Sequence, residues 1–326
     1  MVKPVQTTID EGDKPFLYKH SRSKRVIKTS GITFHPATED TPEGIMDDLE
    51  KIHGRSKFYA LTSGGKDSIT LAHWLHERGQ LEAGVHIKTN IGFQATTDFV
   101  IEFYKERGWP LHVIEPNPKH IYATHVLQYG FPGPAHHRLI MGRLKYKTMR
   151  DFALSIDKKN HCLISGVRKF ESLRRMGNYP EPIQTDGSLW FGCPFFFKQA
   201  EELYKYLHVH DLKITPMHAK IGMSGECMCG AYAQKGEKEM IRKYDPKLAD
   251  YIQWLEDGIQ RFGTSAAKRY PKWGDSPLMS DLEDQQTIDD FFKANPDLTV
   301  VNEIEQMVCG DECGAGSMRG MMDIEL

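Results

Sequence analysis

Residues 61–68 read Leu-Thr-Ser-Gly-Gly-Lys-Asp-Ser, and this stretch decides the fold. Residues 57–61 before it have the aromatic and aliphatic character of a β-strand, and residues 69–75 after it have a helical pattern. Two adjacent glycines permit a tight turn whose N–H groups approach one oxyanion. The first turn of the helix adds unpaired N–H donors and about half a positive charge. The sequence therefore predicts a phosphate-binding loop between a strand and a helix.

The loop is not a Walker loop, which has four residues between its first glycine and its Gly-Lys pair. Its Ser-Gly-Gly-Lys-Asp-Ser form resembles the pyrophosphate loop of the adenine nucleotide α-hydrolase superfamily. That superfamily includes ATP pyrophosphatases and the phosphoadenylyl-sulfate (PAPS) reductase family. The resemblance implies that an adenine nucleotide binds through Ser63, Gly64, Gly65, Lys66, Asp67 and Ser68.

The composition is that of an ordinary water-soluble protein. The 326 residues are 26% charged and 40% hydrophobic, with a formal net charge of −2 at pH 7. No apolar run approaches the roughly 18 residues that a membrane span needs. The N-terminus has no signal-peptide core. We therefore expect a cytoplasmic protein without a membrane partner; its oligomeric state is not predicted.

Charge is distributed unevenly along the chain. Residues 281–326 hold twelve acidic and two basic side chains, so the preceding 280 residues hold 40 basic and 32 acidic ones. A basic body suits phosphorylated ligands, from nucleotides to nucleic acid. We divide the chain into an N-terminal extension (1–50), a nucleotide-binding domain (51–262) and an acidic C-terminal segment (263–326).

Strand and helix patterns alternate after the glycine loop. Residues 81–88, 111–115 and 162–166 read as strands. Residues 94–107 carry apolar side chains at helical spacing. This alternation predicts an α/β fold with a doubly wound parallel sheet, of the adenine nucleotide α-hydrolase type, whose ligand lies beyond the carboxyl ends of the strands. Further helices are predicted at residues 45–53, 121–129, 139–157, 201–208 and 236–261.

Two later segments add to the family resemblance. Residues 89–92, Thr-Asn-Ile-Gly, are similar to a Thr-Gly segment after the second strand of the PAPS reductase family. This similarity implies backbone contacts from Ile87 to adenine and places Thr89 near the ribose. Residues 166–175 resemble the family's Gly-x-Arg-x-x-Glu-Ser-x-x-Arg motif, in which arginine forks bind phosphate or sulfate oxygens. The nucleotide-facing residues implied there are Gly166, Arg168, Ser172 and Arg174.

The cysteines indicate metal or redox chemistry more than structural disulfides, because the chain reads as cytoplasmic. Cys227 and Cys229 lie where cluster-bearing members of the family have a Cys-x-x-Cys pair, and Cys309 and Cys313 form a second pair. Two thiolates on one turn are suited to iron or zinc. The expected ligands are these four cysteines, with Cys193 as a spare, around a 4Fe-4S cluster or alternatively Zn²⁺. Reduced thiols without a metal are the remaining interpretation.

Lys66 and Asp67 favour ATP as the nucleotide, with Lys66 on the phosphates and Asp67 helping to hold Mg²⁺. The first hypothesis is cleavage between the α- and β-phosphates, which adenylates an acceptor for sulfur transfer. The second is reduction of adenylyl sulfate, or of its 3′-phosphate, with Cys313 as nucleophile, because Glu312, Cys313 and Gly314 match the start of the reductases' C-terminal motif. The third is a non-catalytic nucleotide-binding subunit of a sulfur-transfer complex.

The residues expected to carry the chemistry are Lys66, Asp67, Arg168, Arg174 and Cys313. The expected partners beyond the nucleotide are a sulfur donor protein, either a cysteine desulfurase or a thioredoxin-like protein, and a nucleic acid acceptor. The acceptor is inferred from the basic segment 138–150 and from the similarity to DNA phosphorothioation and tRNA thiolation enzymes.

Overall fold

A computed structural model describes residues 27–29, 32–156, 161–169, 181–187 and 189–275. Its strands join in one eight-stranded sheet with the order β1-β2-β7-β8-β6-β3-β4-β5. The strands are β1 Ile27–Thr29, β2 Ile32–His35, β3 Phe58–Leu61, β4 Leu81–Ile87, β5 Leu111–Ile114, β6 His161–Ile164, β7 Ile183–Asp186 and β8 Leu189–Gly192.

Five neighbouring strands, β8-β6-β3-β4-β5, run parallel, as the alternating pattern predicts. At the other edge β1, β2, β7 and β8 pair antiparallel. The phosphate loop follows β3, which lies between β4 and β6 inside the parallel part. The residues after β3, β4 and β6 therefore meet at one edge of the sheet, where open α/β sheets bind ligands.

Helices cover the sheet and build a second core at its carboxyl edge. They are α1 Pro42–His53, α2 Lys66–Glu77, α3 Gln94–Glu106, α4 Tyr122–Tyr129, α5 His137–Met141, α6 Lys147–Ile156, α7 Ala200–Val209, α8 Met217–Ile221, α9 Glu237–Tyr244 and α10 Pro246–Phe262. Among the described residues, none of the helices combines the length and the apolar character that crossing a membrane requires.

Residues 32–53 belong to the same sheet and core as the predicted nucleotide domain. β2 pairs with β7 through residues 32–35, and its Ile32 and Phe34 are buried. α1 begins after Thr41, whose side chain accepts a hydrogen bond from the Gly44 N–H, and its apolar face joins the core under the sheet. The division predicted at residue 50 thus falls inside a continuous structural unit.

Two predicted helices are interrupted. The segment predicted as one helix over 139–157 contains a π-helical turn, Gly142–Tyr146, between α5 and α6. The segment 236–261 is two helices, because Pro246 starts a new one and the Asp245 carboxylate caps it by accepting from the Leu248 N–H at 3.0 Å. Proline is well suited to the first turn of a helix and badly suited to its interior.

Candidate active site

The phosphate loop has the geometry that its sequence predicts. β3 ends at Leu61 and α2 begins at Lys66, so the two glycines lie in the turn between them. Gly64 has φ of 84°, in the left-handed region that favours glycine. A Cβ at Gly64 would lie 3.1 Å from Val100 Cγ2, so the packing against α3 also favours a residue without a side chain.

The two serines of the loop shape its backbone. Ser68 Oγ accepts from the Ser63 N–H at 3.1 Å and donates to the Gly65 carbonyl oxygen at 3.0 Å. Ser63 Oγ lies 3.2 Å from Ser68 Oγ and accepts from the Gly65 N–H at 3.4 Å. These bonds close a compact ring at the start of α2 and order the loop before any ligand is bound.

Three charged side chains meet beside this ring. One carboxylate oxygen of Asp67 lies 2.9 Å from Lys66 Nζ, and the other lies 2.7 Å from Arg168 Nε. Burial alone raises the pKa of Asp67, but the ammonium of Lys66 and the guanidinium of Arg168 outweigh it and hold that pKa below its ordinary value. The cluster has a net charge of +1 and lies at the positive end of α2.

Arg168 reaches Asp67 because β6 runs parallel to β3 and ends beside it. Gly166 makes this approach possible, since a Cβ there would lie 2.9 Å from the backbone carbon and oxygen of Asp67. The structure therefore brings Gly166 and Arg168 to the phosphate loop. Arg174 and Ser172 lie outside the described residues, and their nucleotide contacts stay a prediction.

The surroundings of Asp67 do not suit its predicted role as a ligand of Mg²⁺. Each of its oxygens already faces a cationic group, and a dication at the same place would be repelled by Lys66 and Arg168. No group of three or more His, Cys, Asp or Glu side chains suited to a metal occurs among the described residues. In this arrangement the carboxylate orients two cations that face the loop.

The residues after β4 face a loop from the second core. Ile87 ends β4 and is buried, and the Thr89 hydroxyl donates to the Glu226 carbonyl oxygen at 2.7 Å. A Cβ at Gly92 would collide with that same carbonyl oxygen, so the two segments are in direct backbone contact. The adenine and ribose contacts of Ile87 and Thr89 stay predictions.

The predicted cysteine ligands divide between the two cores. Cys227 is half-buried and Cys229 is buried, and the Tyr122 hydroxyl donates to the Cys229 carbonyl oxygen at 2.6 Å. Cys193 instead lies in the core under the sheet, in a cluster that also contains Cys162. The described residues by themselves do not build a metal site, and Cys309 and Cys313 lie outside them.

The most important pair that sequence reasoning missed is Lys145 and Glu226. Lys145 Nζ lies 2.7 Å from a carboxylate oxygen of Glu226, and the two side chains are 3% and 11% exposed. Lys145 lies in the π-helical turn, and Glu226 directly precedes Cys227. A π-helical turn inside an α-helix is frequent at functional sites, but the interruption itself is not visible in the sequence.

The comparisons with known proteins agree with the resemblance drawn from the motifs. Residues 57–277 match the model of the phosphoadenosine phosphosulfate reductase domain, which is more than half of the chain. A protein with this sheet, this loop and this match is an α/β protein of the adenine nucleotide α-hydrolase type. The chain belongs to the phosphoadenosine phosphosulfate reductase family.

The solved structures that align with this chain are distant from it in sequence. The phosphoadenylyl-sulfate reductase of Candida auris, as a phosphate complex, aligns over 55% of this chain and 84% of its own at 13% identity, with a TM-score of 0.42. The FMN adenylyltransferase of Candida glabrata, with FMN and an ATP analogue, aligns over 56% of this chain and 58% of its own at 14% identity and a TM-score of 0.40.

The U34-tRNA thiolase of Methanococcus maripaludis, with its 4Fe-4S cluster, aligns over 78% of this chain and 95% of its own at 13% identity and a TM-score of 0.33. No curated protein sequence matches the chain.

Proposed function

We propose that this protein binds ATP on the phosphate loop and cleaves it between the α- and β-phosphates to adenylate an acceptor. The observation that carries the proposal is the Lys66–Asp67–Arg168 cluster at the start of α2, with distances of 2.9 Å and 2.7 Å to the two oxygens of Asp67. Two cations held by one carboxylate beside a turn rich in N–H groups are suited to a polyphosphate.

In the first step an oxygen of the acceptor attacks the α-phosphorus of ATP. The bond from that phosphorus to the oxygen bridging to the β-phosphorus breaks, and pyrophosphate leaves with the electron pair. Charge builds up on the leaving pyrophosphate, so Lys66, Arg168 and the loop amides stabilise the transition state more than the ground state. Catalysis is then mostly positioning and electrostatic stabilisation.

In the second step a hydrosulfide ion attacks the acceptor atom that carries the adenylate. The ion is released when a thiol reduces the persulfide of the sulfur donor protein, and that thiol and the donor cysteine become a disulfide. AMP leaves with the oxygen of the acceptor, and sulfur takes its place. The steps above use the phosphate loop and Arg168, and none of them is routed through a metal or cluster. A site formed by Cys227 and Cys229 with Cys309 and Cys313 stays a proposal.

Product analysis tests this function. The full chain, incubated with the magnesium complex of ATP and a transfer RNA fraction or DNA, is expected to release pyrophosphate and AMP and no ADP. Release of ADP and phosphate would contradict the proposal, since these products result from cleavage between the β- and γ-phosphates. Sulfite released from adenylyl sulfate with thioredoxin would favour the reductase hypothesis. Nucleotide binding without turnover would favour the non-catalytic subunit.

We further propose that the acceptor is a nucleic acid that docks on a basic surface formed by Lys119, His120, Arg143 and Lys147. Burial lowers the pKa of His120, the charges of Lys147, Arg143 and Lys119 lower it further, and Asp151 alone opposes them. The charges of Lys119, Arg143 and Lys147 therefore act together on His120, and the charge of Asp151 opposes them. Clustered basic side chains are the usual footprint of a phosphate backbone.

This basic surface lies at the same edge of the sheet as the phosphate loop. His120 follows the carboxyl end of β5, and β5 is two strands from β3, or roughly 10 Å at the usual strand spacing. The exposed ring of Tyr129 lies beside it, with the Arg143 guanidinium 4.9 Å from the ring centroid. An aromatic face next to cations suits an unpaired base as well as phosphates.

Replacing Lys119 and Lys147 together by alanine is expected to weaken binding of a transfer RNA fraction and to flatten its salt dependence. Each phosphate contact contributes roughly 0.7–0.9 to the slope of log K against log salt, so the loss should be about 1.5. Lys57→Ala is the matched control, because Lys57 is exposed and lies before β3, at the opposite edge of the sheet. An unchanged slope in the double variant would remove the proposed surface.

A further inference from the structure

The segment that follows α7 is hydrogen-bonded directly to the phosphate loop. The Thr215 N–H donates to the Gly64 carbonyl oxygen at 2.9 Å, and the Thr215 hydroxyl lies 3.2 Å from the Thr96 hydroxyl on α3. The His218 N–H in turn donates to the Thr215 carbonyl oxygen at 3.0 Å. Two consecutive hydrogen bonds therefore fix the backbone of His218 relative to Gly64.

The side chain of His218 is nearly buried, with 8% of its surface exposed. Burial lowers its pKa, the charge of Lys66 lowers it further, and the charge of Asp67 raises it, so the charges of the loop act on the imidazole. A neutral imidazole carries one N–H donor and one acceptor nitrogen. At neutral pH the ring can therefore offer a hydrogen bond to an anion without adding a fixed charge.

Within the part of the chain that the structure describes, neither ring nitrogen of His218 forms a hydrogen bond, and neither nitrogen is fully buried. His86 differs from His218. It is also buried, but both its ring nitrogens are hydrogen-bonded, one to the Thr62 carbonyl oxygen at 2.9 Å and the other to Thr97 Oγ1 at 3.0 Å. An imidazole beside a phosphate loop whose nitrogens are accessible and form no hydrogen bond is available to a ligand, to which it can donate one N–H.

We propose that His218 is a further binding residue of this site, whose ring N–H donates to an oxygen of the phosphate chain on the leaving-pyrophosphate side. The proposal rests on the proposed function and extends it from the glycine loop to the segment after α7. Because Lys66 and His218 then contact the same end of the nucleotide, the site distinguishes di- and triphosphates and free pyrophosphate from AMP. No bond is made or broken at His218.

Titration calorimetry with inorganic pyrophosphate and with AMP, as separate ligands, tests this role. His218→Ala is expected to weaken pyrophosphate binding about 10- to 100-fold, the range for a lost hydrogen bond to a charged group, and to leave AMP binding unchanged. His218→Gln keeps an N–H donor and is expected to recover most of the affinity. His208→Ala, an exposed histidine on α7, is the control and should bind both ligands as the wild type does.

A second measurement does not depend on the folding of His218→Ala. In the wild-type protein, the imidazole ¹⁵N–¹H signal that is missing in His218→Gln is expected to shift when pyrophosphate is added. The proposal would be overturned if His218→Ala weakened the binding of pyrophosphate and of AMP equally, or if the imidazole signal did not shift. Either result would leave the proposed function standing. A wild type that binds neither ligand would overturn both.

Discussion

Lys66→Ala is expected to lower pyrophosphate release from ATP by about 10²- to 10³-fold, the usual effect of removing one preorganised group from a developing charge. Lys66 Nζ is held 2.9 Å from Asp67 and 5.7 Å from the centre of the Tyr204 ring, so its position is set before the nucleotide arrives. Its loss leaves the cluster with one cation and one carboxylate, which removes the net positive charge that faces the phosphates.

The measurement is steady-state release of pyrophosphate and AMP from the magnesium complex of ATP. The turnover number should fall more than the Michaelis constant rises, because the leaving group gains charge only in the transition state. Lys57→Ala serves as the control, since that lysine is exposed at the far edge of the sheet. A variant lacking Lys66 that turns over at the wild-type rate would exclude the proposed role of the loop.

Lys145→Met is expected to destabilise the protein by about 3 kcal/mol or more, because it leaves the Glu226 carboxylate nearly buried without its cation. The double variant Lys145→Met/Glu226→Leu should recover most of that loss, since two apolar side chains of similar size remove both charges. Urea unfolding would measure the free energy of unfolding of each variant, provided that its dependence on urea concentration is the same in all of them.

The exposed pair Lys198–Glu202 provides the control for this prediction. Its atoms are 2.6 Å apart, but the side chains are 35% and 47% exposed, so Lys198→Met should cost less than about 1 kcal/mol. Lys145→Met should also increase the rate at which Cys227 reacts with a thiol reagent. The ion pair fixes Glu226, which directly precedes Cys227, and its loss frees this segment. If Lys145→Met and Lys198→Met lower the free energy of unfolding equally, the burial of Lys145 does not contribute to the effect.

Local features of the chain were predicted well. The glycine loop, the strand before it and the helix after it are contiguous in sequence, and the hydrogen bonds that shape the turn join residues at most five apart, as between Ser63 and Ser68. α3 is predicted at residues 94–107 and observed at Gln94–Glu106, because its apolar side chains repeat at the helical period. The alternation of strands and helices predicts the parallel sheet that is observed.

The antiparallel edge of the sheet was not predicted. β2 has four residues and β7 and β8 have four each, and short strands carry few residues from which a period can be read. The pairing of β2 with β7 joins residues about 150 apart, such as Phe34 and Gln184, so it depends on the whole fold. The alternation of Ile32 and Phe34 with polar residues was the one signal available for β2.

By itself, the sequence determined the phosphate loop, the parallel α/β sheet and the family, because each depends on residues close together in the chain or on a repeating pattern. The motif predicted Arg168 as a site residue, but the tertiary structure alone decided which distant side chains pair with one another. Arg168 lies beside Asp67 because β6 follows β3 in the sheet, and Lys145 reaches Glu226 across 81 positions. Strand order and helix packing minimise the free energy of the whole chain, so no local pattern encodes these contacts.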